Sequence, residues 1–178
     1  MSSRGNGWKI VLPIPLALLA LLLTSHPSFA QAVAITQYNA KFLCGDAGPV
    51  VPRFALRPGI YATSLNIHNP NSVPVTLLKK AVLALPQGVT PQPPGEFQQE
   101  IIQSDFALGV DCLNIRALVP GGSSLPFFEG FVVIQIPSSS APLDVVAVYT
   151  TSPHGVSAAP AGRGPSLEVV PILPTIPH

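Results

Sequence analysis

The chain has 178 residues, 47% of them apolar and only 10% charged, and its formal net charge is +1. Charge this sparse beside so much apolar content excludes a disordered chain, and 9 basic against 8 acidic residues leave no surplus to neutralise nucleic-acid phosphates. Pro occurs 22 times, a density that rules out long helices and favours short strands separated by turns.

The amino terminus has the three-part form of an export signal. Arg4 and Lys9 make the first residues basic, Ile10 to Leu23 is an apolar run, and the small residues Ser28 and Ala30 fit a signal peptidase pocket. A bilayer span needs about 20 apolar residues; this run is shorter and contains Pro13 and Pro15. Residues 1–30 therefore read as a cleaved signal. The new terminus falls near Gln31 or Val33, because Ala30-Gln31-Ala32 offers a second cleavage triplet. The expected location is secreted or periplasmic, with no membrane span after cleavage. About 150 residues remain, enough to bury roughly two-thirds of the unfolded surface in one core.

After the signal the chain reads as short strands. Gln37 to Leu43 is the first, ending at Cys44-Gly45, and Asp46 to Pro58 is a Pro-rich loop. Ile60 to His68 alternates: Tyr61, Leu65 and Ile67 share one face, Ser64, Asn66 and His68 the other. Asn69-Pro70-Asn71-Ser72 is a turn, and Pro74 to Leu85 a third strand, so these two strands are expected to form a hairpin. Pro86 to Gly95 is a loop. Phe97 to Gln103 is an edge strand, and Ala107 to Cys112 a short strand leading into a helical turn at Leu113 to Ala117.

The two most apolar segments follow the turn at Pro120 to Ser124. They are Gly130 to Ile136 and Leu143 to Tyr149, expected in the middle of a sheet and, through Pro137 to Pro142, as antiparallel neighbours. Ser152 to Pro165 reads as a flexible loop, Ser166 to Val170 as a last strand, and residues 171–178 as a Pro-rich tail. The predicted fold for residues 31–170 is all-β: a two-sheet antiparallel sandwich, immunoglobulin-like in layout and stapled by one disulfide. The core Trp of immunoglobulin domains is absent, because the only Trp is Trp8.

Cys44 and Cys112 are the only cysteines, and an even pair in an exported chain reads as a disulfide. The catalytic motifs are missing: no Walker loop, dinucleotide glycine pattern, H-E-x-x-H or G-x-S-x-G is present. His68 closes a strand beside a turn and reads as structural, with a ligand or catalytic role as the rival. Asp105, Asp111 and Asn114 offer oxygen ligands for calcium, but their spacing matches no calcium loop. Phe127-Phe128-Glu129-Gly130-Phe131 reads as core entering a strand, with an aromatic binding platform as the rival. A glycosidase needs two carboxylates facing each other across a sugar; the 8 acidic residues read as the scattered acids of a secreted sandwich. No catalytic, cofactor or metal residue is assigned.

An ordered series of segments resembles a group of uncharacterised exported bacterial proteins. It comprises Lys41-Phe42-Leu43-Cys44-Gly45, Leu65-Asn66-Ile67-His68-Asn69-Pro70, Asp111-Cys112, Glu129-Gly130-Phe131-Val132-Val133-Ile134, and Leu143-Asp144-Val145-Val146-Ala147-Val148-Tyr149-Thr150. Gly109 departs from the acidic residue expected before the second Cys. The resemblance implies an envelope or extracellular setting and a Cys44–Cys112 bond; it carries no activity. The functional expectation is a binding or structural module, not an enzyme, whose partner is an envelope protein, a polysaccharide or an identical chain. A small secreted hydrolase is the alternative, and a metal-binding sandwich using His68 or the Asp105–Asn114 stretch is a third reading.

Overall fold

The structure, a computed structural model, describes residues 34–48, 56–121, 124–153 and 165–177. The expected signal and cleavage region, His154, His178, most of the loop at 152–165 and part of the turn at 120–124 lie outside the described residues.

The all-β antiparallel class is what the chain adopts. Eight strands and one short helix are described: β1 (Ile35–Ala47), β2 (Gly59–His68), β3 (Val75–Leu83), β4 (Gln98–Ile102), β5 (Ala107–Val110), α1 (Cys112–Ala117), β6 (Phe127–Pro137), β7 (Asp144–Pro153) and β8 (Ser166–Pro171). Hydrogen bonding joins the strands in the order β4-β3-β6-β1-β2-β7-β8, with β5 paired to β2. The ladder is thus one continuous path rather than two separate ones.

β1 changes partner along its length. β1 pairs with β6 over Ile35 to Gly45, but with β2 only over Gly45 to Ala47. Gly45 has φ +101°, and a Cβ there would lie 2.0 Å from the Pro126 carbonyl oxygen. Only Gly meets both conditions, a left-handed backbone and close approach of the neighbouring chain. Before this point β1 belongs to the half formed with β6, β3 and β4; after it, β1 joins the half formed by β2, β5, β7 and β8.

Both halves contribute to one buried cluster. Tyr38, Ala40, Phe42 and Cys44 alternate along β1, Phe128, Val132, Ile134 and Ile136 along β6, and Leu65 and Ile67 lie on β2 with Val145 and Ala147 on β7. The period of two puts these on one face of each strand. Full burial stabilises by about 1.5–3 kcal/mol per large side chain. Phe42 and Phe128 meet with ring centroids 5.6 Å apart. Gly130 lies between them and β3, where a Cβ would come within 2.0 Å of the Val82 carbonyl oxygen.

Two expected pairings are not formed. β2 and β3 make no hairpin: β3 pairs with β4 and β6, while β2 pairs with β1, β5 and β7. The cause is Asn69, fully buried at the end of β2. Its amide donates to the carbonyls of Val73, Ile102 and Gln103 at 2.9, 3.0 and 3.1 Å, and its oxygen accepts from the Asn71 N–H and side chain. That hub carries the chain from one half to the other instead of reversing it within one ladder.

Likewise β6 and β7, though central, are not neighbours. β6 lies between β3 and β1, β7 between β2 and β8. Their connection ends at Leu143, whose backbone the Tyr38 hydroxyl holds from across the core. The tail is likewise in place. Ile172 N–H donates to the Val145 carbonyl, and Thr175 exchanges two backbone hydrogen bonds with Gln37 on the β1 edge that β2 does not cover.

Candidate functional site

The cysteines predicted to pair are bonded, with Cα atoms 5.6 Å apart. The bridge stands at a gap in the β2 ladder. β1 covers β2 at Gly59 to Tyr61 and β5 covers it from Leu65 to His68, so among the described residues no strand lies opposite Thr63 on that edge. Side chains fill the gap. Thr63 N–H points at Cys112 Sγ at 3.2 Å; its hydroxyl accepts from the Leu43 N–H at 2.9 Å and donates to the Leu43 carbonyl at 3.0 Å. This satisfies buried backbone groups that would otherwise be costly.

Asp111 and Asn114 are committed to structure rather than calcium. The Asp111 carboxylate accepts from the N–H groups of Leu113 and Asn114, and Asn114 Oδ1 accepts from the Asp111 N–H, a reciprocal cap on α1. Asp105 lies elsewhere, on His68. Among the described residues no three His, Cys, Asp or Glu side chains converge as metal ligands.

His68 stands between two carboxylates. Nδ1 is 3.2 Å from Asp144 Oδ2 and Nε2 is 3.3 Å from Asp105 Oδ1. Only the imidazolium donates from both nitrogens, and these hydrogen bonds, Asp144 before Asp105, raise the His68 pKa above its ordinary 6.5. Asp105 is held at φ 60° by its N–H bond to the Asn69 carbonyl. The group is open: Asp105 and Asp144 side chains are 90% and 68% exposed. Its neighbour Ser104 donates its hydroxyl to the Asn71 carbonyl instead of facing the imidazole. The cluster clamps the β4–β5 turn to the start of β7 on an exposed rim.

The aromatic run divides between core and surface. Phe127 and Phe128 are buried, while Phe131 is 42% exposed on the outer face of β6. That face, spread over β4, β3, β6 and β1, holds residues the sequence did not single out. Register aligns Gln99, Leu78, Gln135 and Gln37 in one row across the four strands. Gln135 Nε2 donates to Gln37 Oε1 at 2.7 Å, and Gln37 Nε2 to Asn39 Oδ1 at 2.9 Å. Farther along, Lys41 pairs with Glu129 at 2.5 Å and lies 5.5 Å from the Phe131 ring centre, and Lys80 sits 4.3 Å above the Phe97 ring. A recess of about 330 Å³ opens beside the amide row, lined by Ile35, Thr76, Leu78, Gln99, Gln135 and Pro137. A second recess of about 300 Å³ lies between Leu83, Pro86, Val89, Leu125 and Phe127, and both recesses are mainly apolar.

Every other residue of β1 signals this face: Gln37, Asn39 and Lys41 alternate with buried Tyr38, Ala40 and Phe42. What sequence lacked was the pairing that sets Gln37 beside Gln135 and Gln99. No family model matches the chain, and no curated protein or solved structure matches it. The site therefore rests on its own geometry, which offers shaped, uncharged hydrogen bonding on a rigid sheet.

Proposed function

We propose that the protein is an exported binding or structural module of the cell envelope or extracellular space. The amino-terminal signal pattern and the resemblance to exported bacterial proteins support export, and the Cys44–Cys112 bond fits an oxidising compartment. No helix among the described residues is long and apolar enough to cross a membrane. The observation that carries the binding reading is the linked amide row Gln135–Gln37–Asn39 on the outer face. It stands on strands whose opposite faces are packed in the core, and recognition groups on such rigid elements lose little freedom on binding. The His68 cluster favours a hydrolase less. Its carboxylates are largely exposed, and its nearest hydroxyl is turned away.

Expression of the whole chain in an export-competent bacterium, followed by fractionation, tests this reading. The expected product begins near Gln31 or Val33, has no free thiol and co-sediments with purified envelope material. An intact Met1 terminus on reduced, cytoplasmic protein overturns export, and exported protein that binds neither purified envelope material nor extracellular polymer overturns the binding role.

A further inference from the structure

We infer that the recess beside the amide row seats one sugar ring of a neutral polysaccharide. The inference rests on the binding-module reading and names its ligand class. A pyranose ring has an apolar face of C–H groups and a rim of hydroxyls, each able to donate and accept. The recess is mainly apolar, through Ile35, Leu78, Ile136 and Pro137, and suits the C–H face; Thr76, Gln99 and Gln135 are the polar residues at its edge. An amide side chain both donates and accepts, as a hydroxyl does. The bond to Gln37 uses one amide proton of Gln135 and leaves its carbonyl oxygen lone pairs for a hydroxyl.

Charge selects the neutral class. None of the described residues lining the recess is ionisable. The cations of the same face lie farther along it and are engaged: Lys41 with Glu129 and the Phe131 ring, Lys80 with the Phe97 ring. An acidic polymer would need cations at the recess itself. The row also has length. Gln99, Leu78, Gln135 and Gln37 follow one another across four strands spaced about 4.8 Å apart. That step is close to the size of one sugar ring, so a chain laid across the strands meets an amide or an apolar side chain at each step.

The test follows the side-chain amide NMR signals of Gln37, Asn39, Gln99 and Gln135 in the exported, processed protein. The probes are hexaoses of β-1,4-linked glucose, α-1,4-linked glucose and N-acetylglucosamine, with an oligogalacturonate as the acidic comparison and a protein dilution series without sugar. The expected result is saturable movement of these amides with at least one neutral hexaose, at a Kd on the order of 1 mM or tighter. Gln135→Leu weakens that binding about tenfold through the lost hydrogen bonds, while His68→Gln, on the exposed rim, leaves it unchanged. Gln99→Ala, exposed on the edge strand, gives the same weakening should Gln135→Leu disturb the fold. Movement only with oligogalacturonate overturns the neutral class. Movement on dilution alone assigns the face to a second copy and overturns the sugar site. Envelope co-sedimentation with no amide movement overturns the recess while the binding-module reading stands.

Discussion

Tyr38 and Leu143 are 105 residues apart and are joined by two hydrogen bonds: the buried Tyr38 hydroxyl donates to the Leu143 carbonyl at 3.1 Å and accepts from its N–H at 2.8 Å. One side chain of β1 thereby holds the chain where it enters β7, in the other half of the molecule. Burial raises the pKa of this phenol above its ordinary 10.0. It therefore stays protonated and able to donate throughout the physiological range.

Tyr38→Phe keeps the ring but leaves the Leu143 N–H and carbonyl buried without partners. Leaving such groups unsatisfied costs about 1–3 kcal/mol. Urea unfolding should show a lower midpoint with an unchanged slope. A loss below a few tenths of a kcal/mol would mean that water reaches the Leu143 backbone.

The Cys44–Cys112 bond closes a loop with a sequence separation of 68. Loop-closure entropy assigns it about 4 kcal/mol. A Cys44→Ser, Cys112→Ser double variant should unfold at a correspondingly lower denaturant concentration. Native protein treated with maleimide should show no label among the described cysteines; two labelled thiols would contradict the bond.

The His68 clamp makes a pH prediction with a definite sign. The folded-state pKa is raised above 6.5, so the contribution of the clamp is complete below pH 6.5. It is lost as pH rises through the folded-state value. Proton NMR should place the His68 midpoint above 6.5. Asp144→Asn should lower it more than Asp105→Asn, because the hydrogen bond to Asp144 is the larger cause. Equal midpoints in all three proteins would dissolve the clamp.

Lys79 occupies a core-facing position of β3, between Leu77 and Ala81, and its ammonium pairs with Glu100 of β4. Removing the acid strands a nearly buried cation. Glu100→Ala should cost about 1–3 kcal/mol, less than for a fully buried pair because Glu100 is 42% exposed. Lys79→Met removes both the charge and its desolvation, and should be neutral or stabilising. Chemical denaturation of the two variants decides between these effects.

The strands were legible because their period is local. In β2 the buried positions Thr63, Leu65 and Ile67 alternate with outward Ser64, Asn66 and His68, and that alternation needs nothing beyond the strand itself. β4 is at the end of the path, as an edge strand should be. The cysteines and the helical turn after β5 were legible for the same reason, since residue type and short-range spacing reveal them. The observed β1 is longer than expected, because residues 44–47 continue the strand while changing its partner from β6 to β2.

Partner choice was not legible. The Asn-Pro turn after β2 reads as a hairpin, yet Asn69 binds carbonyls at Ile102 and Gln103, more than thirty residues on. The Pro-rich link after β6 reads as a simple reversal, yet Tyr38 captures its end from across the core. The amide face depends on the same information, because Gln37, Gln135 and Gln99 become one row only once β1, β6, β3 and β4 lie side by side.

By itself the sequence determined which segments are strands, which faces are buried and which sulfurs bond, because hydrophobic period, turn chemistry and cysteine number act over a few residues. Tertiary structure alone decided strand order, the crossing of the chain between halves, and the surface where polar side chains meet. Those outcomes turn on buried polar groups finding partners far away in the chain, and no local pattern encodes which distant carbonyl a side chain will reach.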